Sequence, residues 1–328
     1  MDPETIIAIF NVIFYVFVFL FGVTIGSFLN VCILRIPKGE SLITNNSHCM
    51  SCNTEIKRYD LIPIISWCLL RGKCRACGAK ISPRYTIVEA LTGIMFVICF
   101  AVFPYDTYGI YFALLALFMS GLIVLAFQDL DTQEMCVSVL IYTGIMAILT
   151  HILTLIRIDG SQLVTMPATL KECLIGMVSV SGVMLIIGFV ITPVFYILFI
   201  SQDHKDLRRL SRALKNEKDA KETKKLTKKI EKVKTKIKNN GPVFGFGMGD
   251  IVVMAAGGLM LGIKATVFAA VIAVMTGAVY AVIRKATADE EDDSSNAFAF
   301  GPFLIIGLAI AAYVGNAAVD GYINTMIK

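Results

Sequence analysis

Long apolar stretches recur along the chain, and they constrain its fold more than any other feature of the sequence. A helix needs about 20 consecutive apolar residues to cross the hydrocarbon core of a bilayer. Such stretches lie at residues 6–29, 86–104, 109–128, 135–156, 172–200, 249–263, 265–284 and 299–318. With 56% hydrophobic residues and a mean hydropathy of +0.74, the chain of 328 residues is too apolar for a soluble protein. The sequence predicts an all-α polytopic membrane protein with about eight transmembrane helices.

The charges between these stretches predict the orientation in the membrane. Asp2 and Glu4 precede the first stretch, and the first basic residue, Arg35, follows it. Since cytoplasmic loops carry an excess of Lys and Arg, we expect the N-terminus outside and a first helix that is not a cleaved signal peptide. Alternation of eight spans then places 26 of the 30 Lys and Arg residues inside. Anionic lipid headgroups are the expected counter-surface of these basic loops.

Two polar inserts divide the chain into five regions. We expect a first transmembrane helix at 1–35, a soluble domain at 36–84, helices two to five at 85–200, a basic insert at 201–246 and three further helices at 247–328. The basic insert carries apolar residues at three- to four-residue spacing in parts, which predicts a solvated amphipathic helix or helix pair. It could dock a lipid or protein partner, or be a charged arm with no specific partner.

Four cysteines of the first insert predict a metal site. Cys49, Cys52, Cys74 and Cys77 form the pattern C-x2-C-x21-C-x2-C, in which each pair can present two thiolates to one tetrahedral ion. Disulfides do not persist in the cytoplasm, where the topology places these thiols, so we expect one structural zinc ion. A redox dithiol and four unrelated thiols are the alternatives. The other five cysteines lie mainly in apolar runs and are expected to be packing residues.

Two acids at the ends of apolar stretches are candidate catalytic residues. Asp129 follows the third stretch, and Asp250 ends the run Gly247-Met-Gly249-Asp, whose glycines let backbone approach closely. A buried carboxylate near hydrocarbon needs a physical reason. Two carboxylates sharing a proton can activate water and protonate a scissile amide. Asp129 is preferred over Asp131 because it is nearer the bilayer. From the residues alone, a structural or ion-conducting role stays open.

The motifs now described resemble those of the type IV prepilin peptidases, the leader peptidases and N-methyltransferases of type IV pilus, type II secretion and competence systems. The resemblance rests on GSFLNVCILRIP (26–37), the run from Cys49 to Gly93, QDLDTQEM (128–135) and GMGDIVVMAAGG (247–258), with AFGPFLIIG (299–307) as a weaker match. It implies a GxGD-type aspartyl protease of the bacterial cytoplasmic membrane, with its active site at the cytoplasmic face.

The same resemblance implies the roles of particular residues. The catalytic pair falls on Asp129 and Asp250, and the paired C-x2-C motifs fall on the four cysteines. The implied substrates are prepilins or pseudopilins, with membrane lipids around the chain and no nucleic acid. S-adenosylmethionine (SAM) is the implied methyl donor for the new N-terminus. Glu89 is a candidate SAM-binding residue, or alternatively an acid buried against Arg84 at a helix start.

The chain departs from the family pattern at three places. Cys136 stands where the family commonly has proline, Val252 stands where it commonly has lysine, and the basic insert is long. None of these changes removes a catalytic group. Two other classes of function compete: an ion- or proton-coupled transporter using the paired aspartates, and a membrane thiol oxidoreductase using the cysteine pairs. Acids at helix ends rather than mid-span argue against the transporter, and cytoplasmic cysteines argue against the oxidoreductase.

Overall fold

The structure is a computed structural model of the chain. It describes residues 2–43, 46–158, 161–192, 194, 205, 207–214, 226–231, 247–287 and 299–326. The greater part of the insert expected at 201–246 lies outside the described residues, so its proposed amphipathic character stays a prediction.

Helices form most of the described chain, as the sequence predicts. They are α1 (Pro3–Arg35), α2 (Ile65–Leu69), α3 (Arg84–Val102), α4 (Tyr105–Tyr108), α5 (Tyr111–Thr132), α6 (Val137–Leu153), α7 (Leu170–Ile186), α8 (207–214), α9 (226–231), α10 (Met248–Leu261), α11 (Ile263–Thr287) and α12 (Gly301–Met326). A 3-10 turn spans Arg58–Leu61, and α7 continues as a π-helical turn over Ile187–Ile191. Two short strands, β1 (Arg157–Ile158) and β2 (Ser161–Gln162), pair antiparallel.

Six of the described helices are long and apolar enough to cross a membrane. These candidate spans are Glu4–Arg35, Arg84–Val102, Tyr111–Thr132, Leu170–Ile191, Ile263–Ile283 and Gly301–Met326. The other two predicted spans are apolar helices as well, but α6 has 17 residues and α10 has 14. At 1.5 Å per residue, such helices reach roughly 26 and 21 Å, short of a hydrocarbon core of about 30 Å. The prediction of eight spans is therefore not confirmed.

The helix α10 is short because the chain turns sharply after it. Gly262 has a φ of +84°, and α11 begins at the next residue. A left-handed residue of this kind closes a helix C-terminus, and glycine adopts it without strain. The predicted stretch 249–263 ends one residue after Gly262, close to the observed end of the helix.

The chain forms two compact units, residues 1–180 with 252–328, and residues 181–251. The core of the first unit is α5, whose largest side chains are almost fully buried: Tyr111, Leu115, Phe118, Met119, Leu122 and Leu125. Helix α1 packs along α3, and α11 packs along α12. At the α1–α3 contact, a Cβ on Gly22 would lie 2.9 Å from the Cα of Gly93, so the small residues set how closely these helices approach.

Candidate functional site

The four cysteines of the segment that connects α1 to α3 have their sulfur atoms close together. Their sulfur atoms all lie within 4.8 Å of one another, and the Sγ atoms of Cys49 and Cys77 are 3.9 Å apart. A tetrahedral ion with metal–sulfur bonds of about 2.3 Å would hold its ligands roughly 3.8 Å apart. The four thiols fit such an ion and could hold it. The identity of the metal stays a prediction.

Each pair of cysteines lies in a tight turn of the same design. The Asn53 N–H donates to the Cys49 carbonyl at 2.8 Å, and the Gly78 N–H donates to the Cys74 carbonyl at 2.9 Å. Asn53 and Gly78 have φ values of 54° and 72°, in the left-handed region that glycine and asparagine tolerate best. Asparagine directly after the first C-x2-C pair and glycine directly after the second are the sequence signals of these two turns.

The surroundings of the thiols favour ionisation of three of them. Backbone N–H groups lower the pKa of the Cys49 and Cys74 thiols, and a hydrogen bond with the Thr54 hydroxyl lowers that of Cys52. At Cys77 a backbone N–H also favours the thiolate, but the neighbouring thiols and desolvation together raise its pKa to about 11. Four thiolates this close repel one another, and a central divalent cation is what would offset that repulsion.

An ion pair secures the second cysteine turn. Arg75 donates to both carboxylate oxygens of Asp60, at 2.8 and 2.6 Å, and its guanidinium lies 5.4 Å from the centre of the Tyr59 ring. The Arg75 guanidinium holds the pKa of the Asp60 carboxyl below its ordinary value. The bidentate contact fixes the orientation of the turn because both oxygens are engaged at once.

Asp129 lies in the last turn of α5, against the N-terminus of α12. Its side chain belongs to a residue only 7% exposed, and Oδ2 accepts the Gly301 N–H at 3.1 Å. The first N–H groups of a helix have no partner within it, so they bind carboxylates well and the helix dipole stabilises negative charge there. A Cβ on Gly301 would lie 2.6 Å from the same oxygen. The contact therefore requires glycine at position 301.

The neighbouring acid, Asp131, has a different environment. It forms a bidentate ion pair with Arg84, the first residue of α3, with both N–O distances at 2.7 Å. The Arg84 guanidinium also lies 4.9 Å from the centre of the Phe127 ring. The pair is half-exposed and ties the start of α3 to the end of α5. Of the two acids, the structure buries Asp129 and gives Asp131 a basic partner.

Gln128 is a buried polar residue that the sequence analysis missed. It is 1% exposed, and its Oε1 accepts the N–H of Cys136 at 3.4 Å. Its Nε2 has no hydrogen-bond partner within the described part of the chain. The hydrogen bond closes the turn that follows Asp129. This hydrogen bond depends on Cys136, because the proline that is common at this position in the family would have no N–H to donate.

Asp250 lies in the first turn of α10 and is 8% exposed. Its Oδ2 accepts the Gly247 N–H at 3.2 Å, the contact by which a third-position acid caps the start of a helix. A Cβ on Gly247 would lie 3.5 Å from this oxygen, an ordinary contact, so packing alone does not demand glycine there. Gly249 is the second residue of the same helix.

Asp129 belongs to the first unit of the chain and Asp250 to the second, and each is described by itself. What they share is local: both are buried, and both accept a backbone N–H at the N-terminus of a helix. The convergence of the two carboxylates stays a prediction.

Glu89 is buried on α3, but Arg84 is not its partner. Its Oε2 accepts the Ile64 N–H at 2.7 Å, while Arg84 pairs with Asp131. The expectation that Glu89 lies against Arg84 is therefore wrong. Ile64 has a φ of +60°, a strained conformation for a β-branched residue, and the carboxylate holds it in place. This contact supports a structural role, and a role of Glu89 in binding SAM stays a prediction.

One part of the chain matches a known family. Residues 20–103 match the family described as the bacterial peptidase A24 N-terminal domain. This range contains the four cysteines and Glu89 and ends before Asp129 and Asp250. The matched range includes two of the motifs on which the resemblance rests, GSFLNVCILRIP (26–37) and the run from Cys49 to Gly93. No solved structure gives a significant match.

Curated relatives point the same way. The chain is 42% identical over 131 residues to the prepilin leader peptidase/N-methyltransferase of Myxococcus xanthus, covering 40% of this chain and 38% of the relative. It is 36% identical over 147 residues to a type 4 prepilin-like proteins leader peptide-processing enzyme of Escherichia coli, covering 38% and 54%. A prepilin leader peptidase/N-methyltransferase of Dichelobacter nodosus is 36% identical over 166 residues, covering 42% and 57%. The matches thus span less than two thirds of each of these relatives.

Proposed function

We propose that this chain, whose residues 20–103 match the N-terminal domain of bacterial A24 peptidases, is an aspartyl endopeptidase that removes the leader of type IV prepilins or pseudopilins. The proposed catalytic pair is Asp129 and Asp250, working at the cytoplasmic face of a bacterial inner membrane. The observation that carries the proposal is the matching environment of the two acids, each buried at a helix N-terminus with a backbone N–H on its carboxylate.

The chemistry requires the two carboxylates to converge and share one proton. The ionised carboxylate takes a proton from water as the water oxygen attacks the scissile carbonyl carbon. The protonated carboxyl donates to the carbonyl oxygen, and the proton first removed from water then passes to the leaving amine. The Gly301 and Gly247 N–H groups each hold one carboxylate in position throughout. Because two close carboxylates titrate together, their apparent pKa values belong to the pair.

The soluble segment would support a second step on the same product. The relatives' names include N-methyltransferase, and we propose that this chain also methylates the new N-terminal amine. SAM supplies a methyl group from its sulfonium, and the amine releases a proton. Cys49, Cys52, Cys74 and Cys77 would hold one zinc ion whose role is to fold the segment, since four thiolates leave no open coordination position.

The peptidase proposal is tested with reconstituted full-length chain and a purified prepilin, with products resolved on a gel. Asp129→Asn and Asp250→Asn should each lose cleavage by about 10²–10⁴-fold, the range for removal of a general acid or base. Asparagine keeps an oxygen that accepts the Gly301 or Gly247 N–H, so the fold should persist. Asp131→Asn is the matched control from the same turn, because Asp131 pairs with Arg84 and is half-exposed.

The control should lose no more than about fivefold, as expected for a partly exposed ion pair that contributes about 1 kcal/mol at most. Near-normal cleavage by either Asp129→Asn or Asp250→Asn would rule out the proposed pair. Mass spectrometry of the cleaved product with and without SAM then tests the methylation, and an unmodified amine in both samples would rule out the second activity.

A further inference from the structure

A cationic groove lies in the soluble segment beside the second cysteine turn. It is lined by Trp67, Arg71, Gly72, Lys73, Lys80, Ile81, Ser82 and Pro83. Three of these residues are basic and none is acidic. The indole Nε1 of Trp67 donates to the Ile81 carbonyl at 3.2 Å, and Gly72 packs against the ring, so the aromatic wall of the groove is fixed. None of the proposed catalytic or metal-binding residues lines it.

The arrangement of the cations indicates that the groove binds an anion. Lys73 and Lys80 stand directly opposite each other in an isolated antiparallel bridge, where like charges destabilise the pairing. Arg71 lies at the same edge with a left-handed φ of +51°. All three side chains are exposed, and none forms an ion pair with another described residue. A bound anion would offset the repulsion between the two lysines.

An apolar stripe lies on and just before α2, the helix that also carries Trp67 of the groove. Ile65 and Leu69 are four residues apart on α2, so they share one face of the helix, and they are 52% and 77% exposed. Ile62, in the extended backbone just before the helix, is 48% exposed. Trp67 on the same helix brings an amphipathic ring of the kind that is enriched at membrane–water interfaces. Binding of a free anion would account for the cations but not for these exposed apolar side chains.

The position of the groove along the chain places it near the membrane surface. Lys80 is four residues before Arg84, where a candidate membrane span begins. Even a fully extended chain of four residues reaches only about 14 Å. The headgroup layer on one side of a bilayer is roughly 5–8 Å thick. The basic side chains, which are long and flexible, can therefore reach the phosphates of the adjacent leaflet.

From these observations we infer that the Trp67 groove binds the phosphate headgroup of an anionic phospholipid while Ile62, Ile65 and Leu69 enter the boundary between headgroups and acyl chains. This contact would dock the cysteine segment onto the membrane surface. Basic residues next to a membrane span are attracted to the negative surface of the leaflet, and short amphipathic elements add apolar contact to that attraction. SAM does not fit the groove, because its sulfonium brings a further positive charge. An acidic peptide fits the cations but not the apolar stripe.

Trp67 is the only tryptophan of the chain, so its fluorescence reports on this groove alone. The full-length protein is placed in nanodiscs of phosphatidylcholine, with or without phosphatidylglycerol, that contain lipid brominated close to the headgroup. We expect bromine to quench Trp67, and to do so more strongly as phosphatidylglycerol increases. Equal quenching at all lipid compositions would overturn the inference without any variant being needed.

Two double variants separate the groove from general charge. Each lysine near an anionic surface changes membrane partition by about fivefold, so Lys73→Gln with Lys80→Gln should lose most of the phosphatidylglycerol dependence. Lys38→Gln with Lys57→Gln removes the same charge from the same segment but outside the groove, and this variant should keep the phosphatidylglycerol dependence of the quenching. Leu69→Ser should weaken quenching in both lipids. The same loss in both lysine double variants would overturn the inference.

Two further arms distinguish other anions. Inorganic phosphate added to phosphatidylcholine nanodiscs should leave the quenching unchanged, and a shift equal to that given by phosphatidylglycerol would show that the groove takes free phosphate. A soluble acidic peptide that abolishes the quenching at low concentration would show that the occupant is a protein. Metal content of each variant, measured in parallel, shows whether the adjacent cysteine turns have kept their fold.

Discussion

Replacing Gly301 with alanine tests how the structure places Asp129. The added Cβ would lie 2.6 Å from the Asp129 Oδ2 and 3.1 Å from its Cγ. It would also meet the Cε of Met135, which is the flexible end of a side chain and can move away. The carboxylate cannot move without lengthening its hydrogen bond to the Gly301 N–H. The substitution therefore displaces the carboxylate while its charge and chemistry are unchanged.

The expected loss of activity follows from the size of this displacement. Non-bonded heavy atoms approach to about 3.5 Å, so the carboxylate must shift by roughly 0.9 Å. A misplacement of about 1 Å at a reacting group can reduce the rate by about 10²-fold. Overpacking in a filled interior costs about 1–3 kcal/mol of folding free energy. We expect Gly301→Ala to cleave prepilin about 10²-fold more slowly and to unfold at a somewhat lower temperature.

Two other glycines of α12 provide matched controls. A Cβ on Gly315 would lie 2.9 Å from the Cα of Ala265, so Gly315→Ala overpacks the same helix away from any acid. A Cβ on Gly321 would meet nothing within 4 Å, so Gly321→Ala should be neutral or slightly stabilising. Cleavage rate and unfolding temperature are measured for all three variants in the same detergent. The reasoning is refuted if Gly301→Ala loses no more rate than Gly315→Ala at a similar unfolding temperature.

Three further predictions concern the residues around the proposed sites. Arg84→Lys keeps the charge but cannot bind Asp131 with two parallel N–H groups, so we expect cleavage to slow by no more than about fivefold. Combining it with Asp131→Asn in a double-mutant cycle should cause no additional loss. Because Arg75 lowers the pKa of Asp60, their ion pair stabilises the segment at pH values above the ordinary carboxyl pKa of 3.8, and this stabilisation is lost as the pH falls through the lowered pKa. The unfolding temperature should therefore fall in acid, and Asp60→Asn should remove the share of this pH dependence that comes from the pair. Purified protein should contain about one zinc ion per chain, and Cys74→Ser should lose it and make the soluble segment sensitive to protease.

Local features were predictable from the sequence because their signals are local. Apolar length predicted where the helices lie, and two C-x2-C pairs predicted two similar turns. The length of α6 was overestimated, at 22 residues against 17, because hydropathy does not detect the backbone that ends a helix. The length of α10 was close, at 15 residues against 14, since the predicted stretch 249–263 ends one residue after Gly262, whose left-handed φ stops the helix.

Long-range contacts were not predictable in the same way. Asp129 and Gly301 are 172 residues apart, and no periodicity relates them. The AFGPF run was visible as a weak family motif, but only the packing of α12 on α5 shows that the glycine allows contact with a carboxylate. Arg84 illustrates the converse error. Its proximity in sequence suggested Glu89 as a partner, whereas the fold provides Asp131 at a distance of 47 residues.

The buried hydroxyls of the helices weigh against the transporter alternative. A pathway for ions or protons through a membrane needs polar side chains that face one another or water. Five buried hydroxyls instead donate to carbonyls three or four residues earlier in the chain: Thr92 to Val88, Ser120 to Ala116, Thr143 to Leu140, Thr150 to Met146 and Thr266 to Gly262. Each is satisfied within its own turn. Among the described residues, the three buried acids all lie within two turns of a helix end. Asp129 is in the last turn of α5, Asp250 is in the first turn of α10, and Glu89, near the start of α3, accepts the Ile64 N–H. This placement favours the proposed hydrolysis over conduction through the membrane.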